Sequence, residues 1–97
     1  MRNRYLVSYD ISDPKRLARV FRKMRGFGEA VQYSVFLCSL SPQERVILLA
    51  ALSELINHKE DRVMIVDLGP AGGRGQECME FLGRSIPAPE ARVAVIV

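Results

Sequence analysis

Residues 4–40 read RYLVSYDISDPKRLARVFRKMRGFGEAVQYSVFLCSL, and the fold turns on this stretch. Arg4 to Ile11 is dense in β-branched and aromatic residues and reads as a strand. Tyr5, Val7, Tyr9 and Ile11 share one of its faces, and Leu6, Ser8 and Asp10 share the other. Ser12-Asp13-Pro14 starts a helix, with Asp13 as the cap and Pro14 at the first helical position. Leu17, Val20, Phe21 and Met24 then follow helical spacing as far as Arg25, where Gly26 offers a stop. Lys15, Arg16, Arg19, Arg22 and Lys23 fall on the opposite arc. Glu29 to Leu40 is strand-like again but long for one strand. It is either a bent strand or two strands meeting near Gln32-Tyr33-Ser34, with no Asn-Gly or Asp-Gly turn to mark a break.

Beyond this stretch, Ser41-Pro42-Gln43-Glu44 is a capping box that opens a second helix running to about Asn57. Val46, Leu49, Leu52 and Ile56 give that helix a broad apolar arc, expected to be well buried. Arg62 to Leu68 is a further strand, and Gly69 to Gly75 has the composition of a turn and linker. Cys78 to Leu82 is expected as a short strand, Pro87-Ala88-Pro89 as a stiff spacer, and Ala91 to Val97 (ARVAVIV) as a terminal strand. The order predicts an α+β domain of ferredoxin-like βαββαβ form, with two helices on one face of a four-stranded antiparallel sheet. One domain spans residues 1–97, with its core in 1–69 and a linker and C-terminal strands in 70–97. ARVAVIV is uncharged apart from Arg92 and would be an aggregation-prone edge if left open. Pairing it with the sheet of a second copy covers it economically, so a homodimer is expected.

Ninety-seven residues leave room for one modest core, and 48% apolar with 26% charged residues is ordinary globular composition. The longest apolar-rich run, Val46 to Leu55, is too short to span a membrane, and Asp10 stands where a signal peptide needs apolar residues. Cys38 and Cys78 have no second Cys or His at ligand spacing, which points to a reduced, cytoplasmic chain. The net charge of +3 hides an asymmetry. Residues 1–25 hold eight basic residues against two acidic ones, a net of +6, while residues 26–97 carry a net of −3. A polyanionic partner for the first quarter of the chain follows, and most of the cations are Arg, whose planar fork matches phosphate.

Asp10 leads the candidates for chemistry. A carboxylate at the end of a strand, just before a basic helix, suits a hard cation such as Mg²⁺, which needs only one or two carboxylates besides water and phosphate. The bland alternative is that Asp10 caps a turn or pairs with an Arg of the first helix. The arc of Lys15, Arg16, Arg19, Arg22 and Lys23 contains no acid, which favours a phosphate track over an ordinary solvated face. Tyr5, Tyr9, Tyr33 and Phe36 are candidates for stacking on bases, although Phe in a strand is more often core. Gly72-Gly73-Arg74-Gly75 lacks both phosphate-loop patterns. His58, the one histidine, lies at the end of the second helix and suits a C-terminal charge role better than catalysis.

Three fragments carry a resemblance: Y-D-I at the end of the first strand, D-P-K-R-x-x-R-V in the helix, and V-Q-Y-S-V-F after a Gly. In this order and spacing, residues 4–41 resemble the Cas-two family of CRISPR-associated endonucleases, with the D-R-V-M-I-V-D-L strand and the V-A-V-I-V tail agreeing more loosely. The resemblance implies a ferredoxin-like protomer whose C-terminal strand crosses to its partner in a two-fold dimer. It further implies that Asp10 of each protomer faces its mate and binds Mg²⁺ or Mn²⁺. Tyr9, Arg19, Ser34 and Phe36 match positions tied to cleavage, and Arg16 matches a basic position approximately. The implied role is in CRISPR spacer acquisition: a metal-dependent endonuclease on single-stranded RNA or double-stranded DNA, partnering the CRISPR integrase and not a membrane. The alternatives are a non-catalytic DNA-bridging scaffold of the integrase complex and a related virulence-associated toxin ribonuclease. Two positions depart from the pattern. Ala30 stands where many members have a basic residue and Leu37 where many have Glu, which tilts the chain toward binding over turnover.

Overall fold

The computed structural model describes residues 1–84, and the expected spacer at 87–89 and terminal strand at 91–97 lie outside them. The elements run β1 (Asn3–Asp10), α1 (Pro14–Arg25), β2 (Gly28–Gln32), β3 (Val35–Leu40), α2 (Pro42–Leu55), β4 (Arg62–Pro70) and a single helical turn, α3 (Arg74–Glu77). The strands form one sheet in the order β2-β3-β1-β4, every adjacent pair antiparallel. This is the expected ferredoxin-like βαββαβ arrangement, in which α1 carries the chain from β1 past β3 to β2, and α2 carries it from β3 past β1 to β4.

β1 is bonded on both sides, so its pleat sorts the whole molecule. Tyr5, Val7, Tyr9 and Ile11 are buried on the helix side, where they meet Val20, Met24, Phe27, Phe36, Cys38, Leu40, Leu48 and Leu52. Burial pushes the Cys38 thiol up to about 12, which makes it an inert core residue. Leu6, Ser8 and Asp10 project from the opposite face, beside Met64, Val66 and Leu37 in register.

The long strand-like run breaks into β2 and β3 at a two-residue turn, Tyr33-Ser34. Two-residue hairpins ordinarily need positive φ at the turn to match strand twist. No non-glycine residue here has positive φ among the described residues. The twist comes instead from a register shift between Ala30 and Gln32, where β2 carries one extra residue against β3. Both helix starts form as expected. The Asp13 side chain accepts from the Arg16 N–H, and Ser41 and Glu44 close a reciprocal capping box. Glu44 also takes a two-pronged hydrogen bond from Arg2, which ties the start of β1 to α2 and holds the Glu44 carboxyl below the usual range.

Three expectations are corrected. Cys78 to Leu82 forms no strand; the glycine-rich stretch before it folds back as α3 onto the sheet end. A Cβ at Gly75 would stand 2.7 Å from the Gly69 carbonyl oxygen and 3.0 Å from the Arg4 Cβ, so only glycine permits that approach. The apolar arc of α2 is not wholly buried: Leu48 and Leu52 are, but Val46 is 62% exposed and Ile47 45%. α2 lies on the sheet through the Leu48–Leu52 stripe, and Pro42, Arg45 and Val46 border a groove beside Ile65 and Asp67 of β4. The third correction is the helix end, which falls at Leu55 because the Asn57 side chain caps the Lys59 and Glu60 N–H groups and turns the chain.

The β2–β3 pairing depends on Gly28, where a Cβ would lie 2.3 Å from the Leu37 carbonyl oxygen and 2.7 Å from the Cys38 Sγ. Gly28→Ala is expected to lower stability by about 1–3 kcal/mol, the scale of overpacking. Urea denaturation followed by circular dichroism checks this, and an unchanged midpoint would contradict the packing.

Candidate functional site

The C-terminal end of β1, the start of α1, the β2–β3 turn and the segment 57–61 meet at one end of the sheet. Successive residues of β1 point to opposite sides there. Asp10 is exposed on the outer face, opposite Arg62 in register. Tyr9 is 5% exposed on the inner face. The two bland roles for Asp10 are both filled by Asp61, which accepts from the Ser12 N–H at 3.0 Å to cap that turn and pairs with Arg16 of α1 at 2.8 Å. Among the described residues the Asp10 carboxylate makes no hydrogen bond or ion pair.

Asp61 was invisible from sequence and organises this corner. Its side chain has no exposed surface. It accepts from Arg16 Nε at 2.8 Å, from the Asn57 N–H at 2.8 Å and from Ser12. The Arg16 hydrogen bond, with the two backbone donors, holds the Asp61 carboxyl well below the usual carboxylate range. Arg16 also donates to Glu60, at 3.1 Å. Its guanidinium is therefore committed within the fold, and it leaves the arc of phosphate-seeking cations to which the sequence assigned it. No signal near Arg16 could reveal this, because its partners lie about 45 residues away.

The remaining cations keep their expected places. Lys15, Arg19 and Arg22 are exposed and Lys23 half-buried on α1, and Arg19 and Arg22 form no ion pair among the described residues. Ser34 accepts the Tyr9 N–H at 3.0 Å through its backbone carbonyl, so it fixes the turn against β1. Phe36 is 1% exposed and packs between Tyr9, at 6.2 Å between ring centroids, and Phe21, at 5.5 Å. Its ring is a core element that supports those two rings. Burial raises the Tyr9 phenol above its ordinary value, so its hydroxyl stays protonated and available as a donor. His58 bonds the Ser53 carbonyl oxygen at 2.8 Å, in the last turn of α2 and apart from the site. No group of three or more His, Cys, Asp or Glu side chains converges among the described residues. At this corner Asp13, Glu60 and Asp61 are engaged and the Asp10 carboxylate is the one left spare for a cation. That donor is hard oxygen of the type Mg²⁺ and Mn²⁺ take, and it fits such an ion once phosphate or a second carboxylate completes the set. No described helix is long and apolar enough to cross a membrane.

The family model for CRISPR associated protein Cas2 matches residues 2–72. A curated CRISPR-associated endoribonuclease Cas2 of Geobacter sulfurreducens is 48% identical over 97 residues, the full length of both chains. A second, from Rhodospirillum rubrum, is 40% identical over 92 residues, covering 95% of this chain and 89% of the relative. Among solved structures, Streptococcus pyogenes Cas2 superposes with a TM-score of 0.73 at 35% identity, covering 82% of this chain and 99% of that one.

The Arg16–Asp61 contact gives a pH-dependent prediction. A carboxyl whose folded pKa lies below its unfolded value of about 3.9 contributes stability that is complete above that value. The contribution is lost as pH falls toward the folded pKa. Asp61→Asn is therefore expected to denature at lower urea than the parent at pH 7, with the gap closing as pH falls below about 4. Parallel denaturation curves from pH 7 to pH 3 test this, and equal midpoints at pH 7 would contradict it.

Proposed function

Because this chain belongs to the Cas2 family of CRISPR-associated proteins, we propose that it is a metal-dependent endonuclease of CRISPR spacer acquisition. It acts as a homodimer, cuts phosphodiester bonds in single-stranded RNA or duplex DNA, and partners the CRISPR integrase. The relatives' description as endoribonucleases supports nuclease chemistry, and family membership favours this role over the toxin alternative. The observation that carries the reading is the spare Asp10 carboxylate at the end of an apolar sheet face.

That face supports the dimer. Leu6 and Leu37 lie beside Val66, 37% exposed, and Met64, 52% exposed, with Asp10 at the margin of the same face. β4 has a hydrogen-bonded neighbour on one side only among the described residues. A second copy laid on this face covers its apolar residues, and the tail ARVAVIV has an open β4 edge to pair with. Two Asp10 side chains brought together repel one another unless a cation lies between them, so metal binding and dimer geometry are coupled.

Asp10 would hold the Mg²⁺ or Mn²⁺. The bound ion would supply polarisation of a phosphate oxygen and acidification of a water. The chain's own residues do the rest. Arg19 and Arg22, with Lys15 and Lys23, hold the phosphate backbone along α1, and the protonated Tyr9 hydroxyl donates from the inner face. The non-catalytic bridge keeps one specific support. Leu37 is 8% exposed within the apolar face and Ala30 is exposed on β2, so neither supplies the charge that the family pattern often has there.

Asp10→Ala is expected to reduce metal-dependent cleavage by more than about 100-fold, the scale of removing one dominant electrostatic group. Assays on single-stranded RNA and duplex DNA, with sedimentation to confirm the dimer, provide the check. Full activity in a folded Asp10→Ala dimer would overturn the catalytic assignment. Absence of cleavage in the parent at every metal concentration would favour the bridge.

Arg19→Glu with Arg22→Glu tests the backbone track without touching the Arg16–Asp61 contact. If the dimer neutralises four phosphates through these residues, log K against log salt for duplex DNA has a slope of about −3.6. The double variant is expected to lose that part of the slope, keeping only what Lys15 and Lys23 contribute, and to weaken binding equally across sequences. Arg84→Glu, outside the cluster, should do little. Fluorescence anisotropy across a salt series reads both, and a wild-type slope in the double variant would show α1 to be a solvated face.

A further inference from the structure

Between the first two turns of α1 and the β2–β3 turn lies a cleft of about 430 Å³. Tyr9 forms part of its wall, with Leu17 and Phe21 from α1, Tyr33 and Ser34 from the turn, and Arg22 at its edge. This is within the size range of small-molecule clefts. Two of its three rings are open to solvent: Phe21 is 40% exposed and Tyr33 88%, while Tyr9 is buried. The β2 register shift and the two-residue turn place Tyr33 there, where it lines the cleft together with Tyr9. A second cleft, of about 240 Å³, lies along the same helix and is lined by Arg19, Arg22 and Lys23, with Phe27 among its apolar walls. Arg22 borders both.

An apolar, aromatic-sided cleft and a cationic one thus share a single arginine, with about one helical turn, 5.4 Å, between the α1 residues that line each. We propose that the apolar cleft is a base-stacking subsite for single-stranded nucleic acid: an unpaired base enters against Tyr33 while its phosphate is held by Arg22 and Arg19. Charge complementarity selects this occupant. A buried apolar side chain from a partner protein would fill the cleft but leave Arg19 and Arg22 unanswered, whereas a nucleotide satisfies both clefts at once. A base inside a duplex cannot enter without leaving its stack, so the subsite favours single strands or frayed ends. The proposal deepens the nucleic-acid reading above and rests on it.

The test uses two oligomers of equal length and charge, one an oligoribonucleotide carrying 2-aminopurine and the other an abasic phosphodiester chain. Stacking one base on an aromatic side chain is worth about 5- to 150-fold in affinity. Tyr33→Ala is expected to weaken the base-bearing oligomer by that factor, to abolish quenching of 2-aminopurine fluorescence, and to leave the abasic chain bound as before. Tyr33→Phe should behave as the parent. Equal affinity of parent and Tyr33→Ala for the base-bearing oligomer, or equal losses on both oligomers, would overturn the subsite. If Tyr33→Ala changes sedimentation while leaving both affinities intact, the cleft seats a second copy and the subsite is likewise overturned. Failure of the underlying reading looks different: neither oligomer would respond to salt or to Arg19→Glu with Arg22→Glu. A parent chain that binds neither oligomer overturns both.

Discussion

The pleat of β1 is the constraint on which the rest of the molecule depends. A central strand bonded to β3 on one side and β4 on the other cannot slip by one residue without exchanging its faces. Tyr5, Val7 and Tyr9 are therefore locked into the core, and Leu6, Ser8 and Asp10 are locked outside it. Adjacent residues Tyr9 and Asp10 consequently serve two different surfaces. Tyr9 belongs to the cleft between α1 and the β2–β3 turn, and Asp10 to the open apolar face.

Charge is sorted at the same corner by burial. Arg16 and Arg19 lie one turn apart on one helix and look equivalent in sequence. Arg16 finds a fully buried carboxylate in Asp61, together with Glu60, and becomes a clamp between α1 and the segment that leads into β4. Arg19 has no such neighbour and stays in solvent with its charge available. The clamp has a further consequence: Asp61 answers the Ser12 amide and the Arg16 guanidinium together, so it removes the two local demands that would otherwise fall on Asp10. The spare carboxylate is spare because another carboxylate has been brought from across the fold to do the local work.

Most of the architecture was legible because it rests on short-range patterns. Alternation in RYLVSYDI, helical spacing from Leu17 to Met24, and the caps at Asp13 and Ser41 each concern residues within a few positions of one another. What the sequence hid depends on long-range contact. The Arg16–Asp61 pair spans 45 residues, and the fold-back of α3 onto Arg4 depends on two glycines whose stretch reads as linker. Val46 shows the same limit from the other side. Its spacing fits a buried arc, but α2 meets the core through Leu48 and Leu52 and leaves Val46 in solvent. Around the candidate site, the sequence pattern foretold the inward Tyr9, the outward Asp10 and the exposed Arg19. The separate surfaces they serve followed from alternation, and the cleft beside Tyr33 did not, since it needs two elements to be placed together.

The run Val31-Gln32-Tyr33-Ser34-Val35-Phe36 can be decoded position by position in these terms. The register shift between Ala30 and Gln32 supplies the twist that a left-handed turn would otherwise provide, which frees the turn from needing glycine or asparagine. A bulky aromatic can then occupy the turn, and Tyr33 does so with nearly its whole side chain in solvent. Ser34 anchors the turn by accepting the Tyr9 N–H, so the hairpin tip cannot lift away from the end of β1. Two residues on, Phe36 returns to the core and wedges between Tyr9 and Phe21, fixing the wall and the helix side of the same cleft. The exposed ring, the backbone anchor and the buried support are thus three parts of one device. Its rigidity comes from the core end, and that is why a motif with a buried phenylalanine shapes a cleft that the phenylalanine does not itself line.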